Sequence, residues 1–124
     1  MSEANKPLVN KSFEMIKQYL KSAVPPCVAT VDTPEHYEVT AVNNGTKHLF
    51  GYCIAHRNTV TMGFNEDIPE SDFKQLVPKR ILEMMNENRR IAIRDADEHE
   101  LSSAIRDACN QLLYYYNEKG WYAV

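Results

Sequence analysis

The sequence predicts an α+β fold, a two-layer sandwich in which an antiparallel sheet of four to six strands carries N- and C-terminal helices packed on one face. Three observations lead there. Both ends of the chain repeat apolar residues at the three- and four-residue spacing of a helix, the middle alternates apolar and polar residues at period two, and tight-turn signals separate the alternating stretches. Successive hairpins make the sheet antiparallel, and helices kept to the ends place it in a layer of its own.

The first helix is expected over residues 11 to 23, with Phe13, Ile16, Tyr19 and Leu20 on one stripe and Lys11, Glu14, Lys17 and Lys21 off it. Asn10 or Ser12 offers a cap, Pro25-Pro26 stops the helix, and residues 1 to 9 read as a frayed polar lead-in. "CVATV" is a strand or a buried lead-in, "HYEVTAV" is a strand with His36, Glu38 and Thr40 on a wet face, and "NNGT" is a hairpin turn because Asn and Gly accept positive φ. Two further strands, about 47 to 56 and 59 to 65, make up "HLFGYCIAHRNTVTMGF". An acidic loop, "NEDIPESD", leads to a helix starting at about Ser71 or Pro78 and running to Glu87. "RRIAIRDA" is a further strand. The last helix buries Leu101, Ala104, Ile105, Ala108, Leu112 and Tyr115, with Asp97 and Glu100 as an acidic capping box and Gly120 just past its end.

Within "HLFGYCIAHRNTVTMGF" the side chains are sorted by size. Phe50, Tyr52 and Ile54 alternate with Gly51, Cys53 and Ala55, and Val60, Met62 and Phe64 alternate with Thr59, Thr61 and Gly63. A two-residue loop at Arg57-Asn58 pairs Ile54 with Thr61 and mixes sizes on both faces. A three-residue loop with Asn58 left-handed pairs Ile54 with Val60 and Tyr52 with Met62. The second register gathers every bulky residue under the helices, each worth about 1.5–3 kcal/mol when buried, so it is the register expected. It leaves Gly51, Cys53, Ala55, Thr59, Thr61 and Gly63 on a low-relief face suited to a protein partner or a second copy.

The chain of 124 residues matches one domain spanning 1 to 124. Its net charge of -3 lacks the basic surplus of a nucleic-acid binder, no apolar run is long enough for a membrane, and the N-terminus has no apolar signal core. Lys79-Arg80 and Arg89-Arg90 form the densest basic group. A cytoplasmic location is expected. Cys27, Cys53 and Cys109 are odd in number and widely spaced, so they read as reduced, buried small hydrophobes.

Chemistry is sparse. No phosphate loop, serine elbow or Cys/His nucleophile pattern is present, so the chain is not expected to be an enzyme. Glu66, Asp67, Glu70 and Asp72 are the oxygen-rich set that suits a hard cation, iron included. A second acidic set, Asp95, Asp97, Glu98 and Glu100, decorates a helix start. His36 and His48 flank "NNGT" closely enough to approach one another. Tyr52, His56 and Trp121 are candidates for a small-molecule pocket, and the aromatic C-terminus places Trp121 back over the core.

The stretches "KHLFGYCIAHRNTVTMGF" and "LVPKRILEMMNENRRIAIRDADEHELSSAIRDACNQLLYYYNEKGW" resemble the YdhG-like family of small bacterial domains over residues 10 to 122. The resemblance implies a compact α+β domain similar in layout to frataxin and, for part of the family, an intracellular iron-chaperone role through surface carboxylates and the sheet face. This chain has "EVTAVNNG" where family members carry a Trp and a Pro-aromatic pair. The expectation is thus a non-enzymatic cytoplasmic domain, without a cofactor, that binds a protein or itself through a sheet face. Iron carriage on the acidic loop and small-molecule binding are its alternatives.

Overall fold

The computed structural model describes the backbone of residues 2–122 and the side chains of residues 7–122. Helix α1 (Ser2–Lys21) leads into a five-stranded sheet: β1 (Val28–Asp32), β2 (His36–Asn43), β3 (Thr46–Ala55), β4 (Val60–Phe64) and β5 (Arg90–Ile93). Two short helices, α2 (Glu70–Leu76) and α3 (Lys79–Met84), link β4 to β5, and α4 (His99–Lys119) ends the chain. The strands lie in sequence order and every neighbouring pair is antiparallel. The fold is the expected α+β arrangement, with α1 and α4 supplying the helical layer.

Each boundary has a local cause. Asn44 and Gly45 take φ of 52° and 83° between paired Asn43 and Thr46, the two left-handed residues that a tight hairpin needs. Gly120 takes φ of 68° at the end of α4, where its N–H and that of Trp121 donate to the last carbonyls. The middle helix divides at Val77, held extended (φ -102°, ψ 130°) by the ring of Pro78, so one expected helix becomes two.

Other expectations are corrected. Residues from Ser2 are helical, so the lead-in expected to fray extends α1, and Val9 is buried. Ser12 is no cap: it lies inside α1, buried, and its Oγ accepts the Ala96 N–H at 3.0 Å, tying the β5–α4 loop to α1. Asp97 and Glu100 form no capping box. Glu98 is the N-cap, without a side-chain bond, and Asp97 pairs with Lys11 at 2.8 Å.

The register of β3 against β4 is the main correction. Ile54 pairs with Thr61, Cys53 with Met62 and Gly51 with Phe64, and Asn58 is not among the left-handed residues. The two-residue loop therefore prevails. Under it, Gly51 and Cys53 face the helices together with Val60, Met62 and Phe64, while Tyr52 and Ile54 face away. The reason lies in the layer above. A Cβ on Gly51 would come within 2.9 Å of Leu20 Cδ2, so α1 rests on the smallest residues of the central strand, with bulk supplied on either side by Tyr37, Val39, Met62, Ile91 and Ile93. A register shift between Val39 and Thr40 then lets Phe50, next to Gly51, also enter the core, edge-on to Tyr116 at 5.3 Å.

All three cysteines are free and buried, as expected. Loss of solvation pushes the Cys27 thiol up to about 11 and those of Cys53 and Cys109 to about 12. Because these folded values lie above the unfolded thiol value, stability is full below pH 9 and falls as pH rises from 9 towards 12. We expect no thiol to react with an aromatic disulfide reagent in native protein at pH 8, and three to react in denaturant. Gly51→Ala should cost about 1–3 kcal/mol in denaturant unfolding, because Leu20 has no free space to retreat into.

Candidate functional site

With α1 and α4 on one side, the other face of the sheet is left to its own side chains, and the register decides which they are. Directly paired residues point the same way. One row across β2 to β5 therefore reads His36, Ile54, Thr61, Ala92, and the next reads Glu38, Tyr52, Gly63, Arg90. The Tyr52 ring lies across Gly63, occupying the space where a Cβ on that residue would project. Past the bulge, Leu49 and Thr40 continue the face.

These rows floor a concavity of about 720 Å³, whose apolar part is Leu49, Tyr52 and Ile54 and whose edges carry His36, Glu38, His56 and Arg90. At its Phe64 end it is bordered by 65–67 and by Asn86 and Asn88. His36 meets Tyr52 edge-on at 6.4 Å and lies 3.6 Å from Glu38 Oε1. Its Nε2 is shielded from solvent yet makes no hydrogen bond within the chain.

The border is fixed by Asn65, which is buried. Its Nδ2 donates to Tyr116 Oη at 3.2 Å, its Oδ1 accepts the Asp67 N–H at 2.7 Å, and its carbonyl accepts Arg89 Nη1 at 2.8 Å. Tyr116 Oη donates in turn to the Leu49 carbonyl, and the Arg89 guanidinium stacks 4.1 Å from the Phe73 ring centroid. A core tyrosine, the acidic loop and the strand beneath the concavity thus share one network.

The structure separates most of the residues singled out from sequence. Gly51 and Cys53 are covered by the helical layer and Ala55 pairs with Val60 on that side, whereas Thr61 and Gly63 lie on the uncovered face. Thr59 sits in the turn, its carbonyl accepting the His56 N–H. The six therefore do not form one low-relief surface. On β3 the expected pattern is inverted at Tyr52 and Ile54, which look outward, whereas Phe50 and the bulky residues of β4 lie in the core as expected.

The four carboxylates of the acidic loop also part company. Glu70 pairs with Lys74 at 3.0 Å, which holds its carboxyl below the ordinary range, and Asp72 accepts the Tyr115 hydroxyl at 2.8 Å. Burial and that bond push Tyr115 up to about 12. Glu66 and Asp67 alone reach the concavity. Among the described residues no group of three or more His, Cys, Asp or Glu side chains is placed to hold a metal ion.

The histidines diverge too. His36 pairs with Ile54 on the uncovered face, and His48 stacks flat on Trp121 at 4.0 Å over the core edge. Trp121 does fold back, meeting Tyr115 and Tyr116 edge-on, but it lies away from Tyr52 and His56. The basic group disperses, since Arg80 binds Glu98 at 2.6 Å while Arg89 turns inward.

The features that sequence reasoning missed are Glu38, Arg90 and the clamp at Asn65. Glu38 follows from the alternation of β2, which sets His36, Glu38 and Thr40 against buried Tyr37, Val39 and Ala41, and Arg90 from its pairing with Gly63. Nothing in the sequence marks the clamp. No helix among the described residues is long and apolar enough to cross a membrane. No family model, curated protein or solved structure matches the chain. Fold and site define a two-layer α+β protein with one face of its sheet left uncovered. Asn65→Ala should cost about 1–3 kcal/mol and speed amide exchange at Asp67, because it strands buried partners, while Glu66→Gln, on an exposed side chain, should leave stability within about 0.5 kcal/mol.

Proposed function

We propose that the chain is a non-enzymatic binding domain that engages its ligand on the uncovered face of the sheet, around Tyr52. The observation that carries this reading is the placement of Tyr52 and Ile54. Two large residues at the centre of the sheet are turned away from the core and left half-buried in a concavity whose edges are polar. A tyrosine with an accessible ring, apolar neighbours and convergent polar groups is the composition of recognition surfaces. The Nε2 of His36, shielded and 3.6 Å from Glu38 Oε1 but without a hydrogen bond, supports the same reading, because a shielded polar atom gains when a ligand supplies its hydrogen bond.

A screen of small-molecule fragments by two-dimensional amide NMR tests this and needs no ligand chosen beforehand. Hits should cluster on His36, Tyr52, Ile54, Thr61 and Arg90, and Tyr52→Ala should weaken them at least ~10-fold. Hits confined to the outer surface of α4, or none at all, would sink the reading.

A further inference from the structure

The two rows have a property that a one-sided pocket does not need: each complements its own reversal. We propose that the uncovered face packs against the same face of a second copy of this chain, about a two-fold axis that runs along the strands between β3 and β4. The proposal rests on the reading of that face as the binding surface and names its occupant.

Such an axis lays β3 over the partner's β4, and β2 over the partner's β5, in both directions at once. The row Glu38, Tyr52, Gly63, Arg90 then meets its own reverse. Glu38 of each copy faces an Arg90, and Tyr52 faces a Gly63. In the adjacent row Ile54 faces Thr61, and His36 faces Ala92. Ile54 meets the smaller Thr61 and His36 the smaller Ala92, each charge meets its opposite, and the Tyr52 ring, which covers Gly63 of its own copy, meets its symmetry mate.

Arg90 forms no ion pair among the described residues, and the one ion pair of Glu38 is with His36 at 3.6 Å, charged only when that imidazole is protonated, so a guanidinium across the axis offers Glu38 a permanent charge. The ring of Tyr52, lying over Gly63, sits beside the axis and brings the two tyrosines side by side. Aligned packing of two sheets is an ordinary arrangement, with the inner faces about 10 Å apart. The borders at 65–67 and Asn86 stand at one end of the concavity, beyond both rows.

Size sets the strength. Only β2 to β5 overlap about this axis, and four strands about 4.8 Å apart and some 20 Å long give a footprint of about 400 Å² per copy, or ~800 Å² in all, below the usual size of a stable, specific interface. The dimer should therefore be weak, with a dissociation constant on the order of tens of micromolar.

Sedimentation equilibrium from about 5 μM to 1 mM at low salt tests it. Wild type should show a monomer–dimer equilibrium. Glu38→Arg and Arg90→Glu should each weaken it at least ~10-fold, and the double charge exchange should restore it to within ~3-fold. A wild type that stays monomeric at 1 mM overturns the proposal, as does a dimer indifferent to both single changes or a double variant as weak as the singles. Isotope-filtered NMR on a mixed-label wild-type sample gives a readout free of mutation. Contacts between the Tyr52 ring of one copy and Tyr52 or Gly63 of the other are expected, and contacts only at other surfaces overturn it. A monomer that still binds fragments at Tyr52 removes the second copy and keeps the binding face. A monomer that binds none removes both.

Discussion

The approach of α1 to the central strand governs this structure. Leu20 rests over Gly51, and Cys53 continues the low ground along β3, so the helix sits on a strip with almost no side-chain height. Interiors pack to crystal-like density, so height removed from the centre must reappear at the sides. It does, in Tyr37 and Val39 on β2 and in Met62, Phe64 and Ile91 on β4 and β5. Once the small residues of β3 face the helices, alternation obliges Tyr52 and Ile54 to face the opposite way. The uncovered face is thus a consequence of how the covered face packs.

That coupling explains what the sequence could and could not reveal. The stripe Leu101, Ala104, Ile105, Ala108, Leu112 and Tyr115 is buried in α4, and Gly120 ends the helix, because both depend on spacing along one segment. "NNGT" forms its turn for the same reason. The β3–β4 register depends on something else. A strand of alternating size satisfies either register within its own hairpin, and counting buried bulk in the hairpin alone favours the wrong one. Only the position of Leu20, some thirty residues earlier in the chain, decides between them. Likewise Glu66, Asp67, Glu70 and Asp72 are neighbours in sequence, but the start of α2 turns Glu70 towards Lys74 and Asp72 towards Tyr115. Proximity along the chain did not become convergence in space.

The same packing gives the uncovered face its chemistry. Apolar Tyr52 and Ile54 lie at its centre, Glu38 and Arg90 stand on either side of them, and the Asn65 network holds the border. A ligand on this face would meet a floor of paired strands and a hydrogen-bonded rim, and a preorganised surface spends little ordering entropy on association. The buried thiols fit this account as spacers, since burial keeps them protonated and Cys53 takes part in packing rather than in exchange chemistry.

The register itself is the claim on which the rest stands, and cross-strand proton contacts in NMR read it directly. The account predicts strong backbone contacts joining Ile54 to Thr61 and Cys53 to Met62 as opposite partners. Contacts joining Ile54 to Val60 and Tyr52 to Met62 in their place would return the bulky residues to the core. They would also remove the uncovered face described here.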